Sequence, residues 1–257
     1  MGPNDAKGLR GGRRGGTGLN TLLEPLVPVP RVAALVSVLA LVVGTGGAVL
    51  VAGLRRRGLR VAYSRKVYHF TIFTAAAVVH TVWALPGTLV FGAVIAGIVL
   101  AAVMVGDGHP FYEALARETD RPHRTLFILV PLATTAIGGL VSALLTGPYA
   151  SVGYLAAGWG DAAGEPVGAR WGRHPYRVPS LAGVPATRTL EGSAAVFAVA
   201  SAGSMVAIWT LGGGAVAWWT GLLCGIVAAL VEAASNHGLD NLTVQVATSL
   251  VALWLLA

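Results

Sequence analysis

Residues Val32–Leu54 read VAALVSVLALVVGTGGAVLVAGL, 23 residues without a charge. As a helix this run reaches about 35 Å at ~1.5 Å per residue, enough to cross a hydrocarbon core of ~30 Å. It is too long for the apolar core of a leader peptide and lacks a small-residue cleavage pattern, so it reads as a permanent anchor. Further apolar runs follow at 67–85, 87–105, 125–146, 148–164, 189–211, 214–234 and 241–257. Only helices satisfy their own backbone groups in lipid at this length. The expected fold is therefore an all-α integral membrane protein, a multi-pass bundle of seven or eight transmembrane helices.

Composition agrees. The chain is 55% hydrophobic and only 11% charged, against ~25% in ordinary soluble domains, and its mean hydropathy is +0.71. Residues 1–30 are rich in Gly, Arg and Pro and read as a flexible basic tail; residues 31–257 read as one membrane-embedded domain. The excess of 18 Lys and Arg over 11 Asp and Glu does not imply a nucleic-acid partner, because the basic residues lie in the tail and in short connections. From Arg55 onward there are 13 of them, from Arg55 to Arg188, and alternating spans put all 13 on one side. The opposite turns, near Pro86, Gly147 and Gly212, carry none, so the basic side is expected to be cytoplasmic. Lys7, Arg10, Arg13, Arg14 and Arg31 would then lie on the other side, which leaves the sidedness of the tail open. The single cysteine, Cys224, excludes an intramolecular disulfide and reads as a core residue.

In so acid-poor a chain the stretch Gly160-Asp161-Ala162-Ala163-Gly164-Glu165-Pro166-Val167-Gly168 stands out. Gly160, Gly164, Gly168 and Gly172 recur every four residues, which on a helix makes one face that a neighbouring backbone or a ligand can approach closely. Asp161 and Glu165 share the adjacent stripe, an arrangement suited to a divalent cation. The plainer alternative is that the glycines pack two helices and the acids sit solvated at a helix end. The expected topology also brings Arg65, Lys66, His69, Arg188, Glu191, Glu232 and Asp240 to the same membrane face. Ionisable groups at membrane depth cost ~2.5–3.5 kcal/mol each on insertion scales, so Glu191 and Glu232 should face a polar cavity or a partner.

Arg65, Lys66 and His69 fall on one helical face and suit an anionic group. The connection from Arg170 to Arg188, with Arg173, His174 and Arg177, reads as a loop placing positive charge after the acid-bearing helix. Acids for a metal beside bases for phosphate is what nucleotide chemistry requires. Asp240-Asn241 opens the last span and can equally be read as a helix cap. The segment Asp107–Arg124 reads as a short surface helix with Glu113 and Arg117 at pairing distance, and His80, His109 and His123 as structural or exposed. Neither lysine, Lys7 or Lys66, follows a glycine-rich phosphate loop, which excludes a P-loop nucleotidase. The serine-elbow, His-Glu-x-x-His and protein-kinase motifs are missing as well.

Four motifs taken together, Arg65-Lys66-x-x-His69, Gly160-Asp161 with Gly168 and Gly172, Thr187-Arg188-Thr189-Leu190-Glu191-Gly192-Ser193, and Glu232 with Asp240-Asn241-Leu242-Thr243, resemble the polytopic polyprenol kinase family. That family includes dolichol kinase, phytol kinase and CTP-dependent diacylglycerol kinase. The pattern departs at Arg188, where the family usually carries Lys. The resemblance implies a multi-pass membrane enzyme, its site on the cytoplasmic face, that transfers phosphate from a nucleotide, CTP, to a lipid alcohol such as phytol, dolichol or another polyprenol, with Mg²⁺ or another divalent cation. The expected partners are thus a nucleoside triphosphate, a lipid alcohol and membrane lipid. The expected cation ligands are Asp161 with Glu191 or Asp240, and the expected bases toward the hydroxyl are Glu165 or Glu232. Phosphate or nucleotide contacts are expected from Arg65, Lys66, His69, Gly160, Gly168, Gly172, Arg177, Arg188, Gly192 and Asn241. Two other readings use the same groups: a cytidylyltransferase that forms a CDP-lipid, and a non-enzymatic carrier of anionic lipid or phosphate.

Overall fold

A computed structural model describes residues 26–181, 184–236 and 238–257, and the basic tail expected over 1–30 falls almost wholly outside the described residues. The helices are α1 (Pro30–Arg56), α2 (Val61–Val105), α3 (Pro110–Leu115), α4 (Leu126–Thr146), α5 (Ala150–Trp171), α6 (Leu190–Thr210), α7 (Val216–Ala234) and α8 (Asp240–Leu256). Two strands, β1 (Pro175–Leu181) and β2 (Val184–Thr189), lie between α5 and α6. Five helical stretches are long and apolar enough to cross a membrane: 30–56, 61–105, 126–171, 190–210 and 216–234, with α8 a shorter apolar helix. This fits an integral membrane protein.

Two of these stretches are far longer than a bilayer needs, and both fold back. The 45-residue α2 would extend about 68 Å if straight. It breaks at Ala84, which takes a left-handed φ of 51°. Two residues on, Pro86 supplies no amide hydrogen and disfavours helical geometry in Leu85. The arms then run antiparallel, Val79 packing near Phe91 and Ile95, and Tyr68 near Val99. At Gly147, with a φ of 56°, the chain turns again from α4 into α5, and the Tyr154 hydroxyl donates to the Gly139 carbonyl at 2.9 Å across the hairpin. His80 ties the two turns together, Nδ1 lying 3.0 Å from Thr88 Oγ1 and Nε2 2.9 Å from the Gly147 carbonyl. The apolar runs at 67–85 and 87–105 are the two arms of α2.

At the centre is α5, whose residues Ala150–Gly158 are all buried. The small residues that make this possible also decide how the glycine stripe is used. A Cβ at Gly160 would lie 3.2 Å from Val196 and Ala200, one at Gly164 2.5 Å from Val196, and one at Gly168 2.9 Å from Thr189 Oγ1. A Cβ at Gly172 would lie 2.5 Å from Thr189. The stripe thus packs α6, the plainer of its two readings. Cys224 is fully buried in the same core.

The connection expected as a loop is a β-hairpin, so the chain is not wholly α. Tyr176 faces Arg188 and Arg177 faces Thr187 across the antiparallel ladder. Tyr176, Val178, Thr187 and Thr189 are aromatic or β-branched, the types that favour a pleated strand, and Val178 is buried beneath it. The prolines and arginines between them obscured this alternation in the sequence.

Close backbone approaches make some glycines of the bundle intolerant of a side chain and leave others free. A Cβ at Gly138 in α4 would meet the Leu242 Cα at 2.7 Å and the Asn241 carbonyl at 3.1 Å, whereas one at Gly46 in α1 would meet nothing within 4 Å. Gly138→Ala should therefore lose about 1–3 kcal/mol through overpacking, and Gly46→Ala should be neutral or stabilised by up to ~1 kcal/mol. Thermal unfolding of both variants in one detergent checks this; equal melting temperatures would contradict the packing.

Candidate active site

The end of the bundle opposite His80 gathers the charged residues. One face of the first arm of α2 carries Arg65, Lys66 and His69, and α5 crosses it with Asp161 and Glu165 one turn apart. Lys66 Nζ lies 2.5 Å from Asp161 Oδ1 and 3.0 Å from Glu165 Oε2. Arg65 Nη2 donates to the same Glu165 oxygen. His69 Nε2 sits 3.3 Å from Asp161 Oδ2 without hydrogen-bond geometry, its ring against Phe73 at 4.3 Å. The Lys66 side chain is only 7% exposed. Two carboxylates pair with it, as a buried charge requires.

A second knot lies beside the first. Arg188, on β2, pairs with the Glu232 carboxylate of α7 and with Asp240 Oδ2 of α8 at 3.0 Å, and also donates to the backbone carbonyls of Glu232 and Ser235. Asp240 Oδ1 accepts the Asn241 amide at 3.0 Å, and Asn241 Nδ2 reaches the Pro131 carbonyl at 3.4 Å. Asp240 is therefore the first residue of α8 and also part of the charged cluster.

The segment from Asp107 to Arg124 forms a cap. Its helix α3 ends at Leu115, so Arg117 leaves the helical register that a Glu113–Arg117 pair requires. Glu113 is instead held by Arg124 Nη2 at 2.7 Å, and this guanidinium keeps its carboxyl below the usual range. Arg124, 5% exposed, also binds Asp107 at 2.8 Å, Glu118 at 3.2 Å and the Ala116 carbonyl at 3.2 Å. Ser64 Oγ, donating to the Ala114 carbonyl at 2.9 Å, ties the cap to α2. Arg117 turns inward: its Nε meets Asp120 Oδ2 at 3.0 Å and its Nη1 meets Glu165 Oε1 at 3.0 Å.

These groups frame two cavities. One, about 790 Å³, is polar and lined by Lys66, Arg117, Asp161, Glu165, Gly168, Thr187, Arg188, Gly192, Ser193, Glu232 and Asp240, among others. The other, about 840 Å³, is walled by Ile72, Phe73, Ile95, Val99, Leu115, Phe127, Ile128 and Leu132, with Arg65, His69 and Asn241 at its polar end. Lys66, Asp161 and Asp240 line both.

Four expected site residues lie apart. Glu191 does not join Asp161 and Asp240: as the second residue of α6 its carboxylate turns outward to the Arg173 and His174 amides, at 3.0 and 3.3 Å, and to His174 Nδ1 at 2.7 Å. Arg177 is exposed on β1 and lines neither cavity. Gly160 and Gly172 are spent on helix packing, whereas Gly168 and Gly192 pack and also line the polar cavity. Among the described residues no group of three or more His, Cys, Asp or Glu is arranged to hold a metal ion.

The chain is 30% identical over 201 residues to the phytol kinase of Synechocystis sp., a match that covers 75% of this chain and 81% of that protein. The chain belongs to the phytol kinase family. No family profile and no solved structure matches it. The charged residues that the sequence reading put on one membrane face are gathered at one end of the molecule, and Arg117, which stood in none of the four motifs, joins them there. The signal for it was weak: a basic residue in a polar connection, inseparable in the sequence from those that fix topology.

The Lys66–Asp161 pair is testable apart from any activity. Breaking a buried pair from one side leaves an uncompensated charge and typically costs about 3–5 kcal/mol, whereas removing both partners costs much less. Lys66→Met alone should lower the melting temperature clearly, and Lys66→Met with Asp161→Asn should recover most of the loss. Additive losses in this double-mutant cycle would mean that the two side chains are not coupled.

Proposed function

We propose that the protein is a membrane lipid-alcohol kinase that transfers the terminal phosphoryl group of a nucleotide, CTP, to the hydroxyl of an isoprenoid alcohol of the phytol type. The observation that carries this reading is the junction of the two cavities. An apolar cleft for a hydrocarbon chain and a polar chamber for phosphates meet at Lys66, Asp161 and Asp240. A hydroxyl at the head of a chain in the cleft and a phosphate in the chamber would come together there.

Phosphoryl transfer depends on positioning and on neutralising charge more than on covalent chemistry. Lys66 and Arg188, with Arg65 behind them, supply positive charge. Glu165 and Glu232 line the polar cavity but not the apolar cleft, and Glu165 is tied by Arg65, Lys66 and Arg117. Asp240, which lines both cavities, takes the hydroxyl proton in this scheme, and Asp161 would hold a divalent cation.

The donor set suits Mg²⁺. The polar cavity is lined by three cations, Lys66, Arg117 and Arg188, against four acids, Asp161, Glu165, Glu232 and Asp240, which by themselves do not favour a triphosphate. The buried Glu232 Oε2 has no hydrogen-bond partner. Mg²⁺ commonly takes one or two carboxylates and completes its shell with phosphate oxygens and water, so it needs no preformed cage. When bound it would neutralise charge on the transferring phosphates.

Sidedness follows from the distribution of charge. The charged end carries Arg55–Lys66, Arg117–Arg124 and Arg170–Arg188. Trp209, Trp218, Trp219 and Trp254 are exposed toward the opposite end, as an interfacial aromatic belt requires. In this reading the site faces the cytoplasm in a multi-pass protein with eight crossings. Cysteines introduced at Arg57, Arg173 and Ser235 should react with an impermeant maleimide only from the cytoplasmic side, and those at Pro148 and Ala215, both exposed at the opposite turns, only from outside. Opposite labelling of positions 173 and 235 would dismantle a single shared site.

The activity itself is tested with purified protein, γ-labelled CTP or ATP, and a panel of lipid alcohols and lipid phosphates, with product analysis. Release of CDP and labelled lipid phosphate is expected; pyrophosphate and a CDP-lipid would indicate the transferase instead, and no turnover with any alcohol would refute the kinase. Asp161→Asn should remain folded, because Lys66 keeps Glu165 at 3.0 Å, yet lose ~10²–10³-fold in rate, the usual scale for a lost electrostatic element. A stable Asp161→Asn protein with ordinary activity and unchanged Mg²⁺ dependence would remove Asp161 from the chemistry.

A further inference from the structure

The cap between α2 and α4 touches both cavities. Leu115 lines the apolar cleft, and two residues later Arg117 lines the polar one. Between them the chain leaves α3, so the two side chains point to different chambers over a short extended step. This placement is strongly determined. Arg124 knots the cap through three carboxylates and a carbonyl, Ser64 ties it to α2, and the Tyr112 hydroxyl lies 3.0 Å from Thr125 Oγ1 at the start of α4. None of those contacts needs Arg117.

The position of Arg117 itself is built. Asp120, 4% exposed, fixes its Nε, and Glu165 fixes its Nη1. Glu165 receives Arg117 on one oxygen and Arg65 and Lys66 on the other. Three cations from two separate elements therefore converge on one carboxylate at the rim of the polar cavity. A planar guanidinium held this way is oriented as well as charged, which suits a phosphate oxygen better than a freely rotating ammonium does.

We propose that Arg117 is a catalytic residue: it grips the transferring phosphate from the cap side, opposite Arg188. Because Leu115 shares its segment, a hydrocarbon chain in the cleft would seat the cap and so set Arg117 on the phosphate. This deepens the kinase reading and rests on it. In the reaction the lipid oxygen bonds to the terminal phosphorus, the bond from that phosphorus to the bridging oxygen breaks, and the hydroxyl proton leaves to a carboxylate. Arg117 donates only hydrogen bonds to the oxygens that gain charge.

The experiment is steady-state kinetics of the full chain in detergent or nanodiscs, with wild type, Arg117→Ala, Arg117→Gln, Arg117→Lys and Leu115→Ala. Arg117→Ala and Arg117→Gln should lower kcat/KM by ~10²–10³-fold, the scale of a lost transition-state donor. Arg117→Lys should recover only part, since an ammonium cannot span Asp120 and Glu165 as the guanidinium fork does. Added guanidinium should restore activity to Arg117→Ala, which a purely structural role would not allow. Leu115→Ala should raise the KM for long alcohols more than for short ones. In the wild-type protein, CTP should shield Arg117 from modification by phenylglyoxal, read by mass spectrometry. An Arg117→Ala or Arg117→Gln protein with wild-type kcat and KM, or Arg117 modified equally with and without nucleotide, overturns the proposal. A wild-type protein that phosphorylates no alcohol fails at the kinase reading instead, whatever Arg117 does.

Discussion

Everything at the charged end depends on one constraint, that a carboxylate or an ammonium within an apolar bundle must be paired. Asp161 and Glu165 on α5 and Arg65 and Lys66 on α2 meet this constraint in one another, and in doing so fix where the two helices cross. An isolated charge there would be neutralised or would open the bundle to water. The acids and the bases are therefore each other's scaffold.

The fold was legible in the sequence where it depends on length and polarity. Apolar runs mark the helices, and the one-sided basic residues place Arg65, Lys66, Asp161, Arg188, Glu232 and Asp240 at one end, where the structure brings them together. What could not be read was direction in space. Glu191 sits in the same motif as Arg188, yet one residue's rotation at the start of α6 turns it out to the His174 amide rather than into the cavity. The glycine stripe fitted a ligand face and a packing face equally well, because both require the absence of a Cβ, and only the position of α6 separates them. Arg117 was hidden for a related reason: its partners Asp120 and Glu165 lie 3 and 48 residues away, and the longer of those contacts has no periodicity to betray it.

The β-hairpin gives the site a polar wall that a membrane helix could not. Helices here present mainly small or apolar side chains to one another, whereas β2 places Thr187, Arg188 and Thr189 along the cavity. Thr189 ends the strand and also caps α6, accepting the Gly192 amide at 3.1 Å. One residue thus closes the ladder and starts the helix, and any shift of register there would move Arg188 off Glu232 and Asp240. Tyr176, 2.6 Å from Ser193 Oγ, holds the opposite strand against the same helix start.

Arg188, where the family pattern usually carries lysine, makes contacts that use both arms of the guanidinium. Its two terminal nitrogens serve the Glu232 side chain, two backbone carbonyls and Asp240. The two carbonyls belong to the last turn of α7 and the residue after it, where the final carbonyls of a helix lack intrahelical partners. A lysine has the charge but neither the planar fork nor the reach to several acceptors at once. In this chain the guanidinium closes the α7–α8 turn as well as facing the cavity, so the geometry of Asp240, one of the three residues shared by both chambers, depends on a side chain whose other work is to finish a helix.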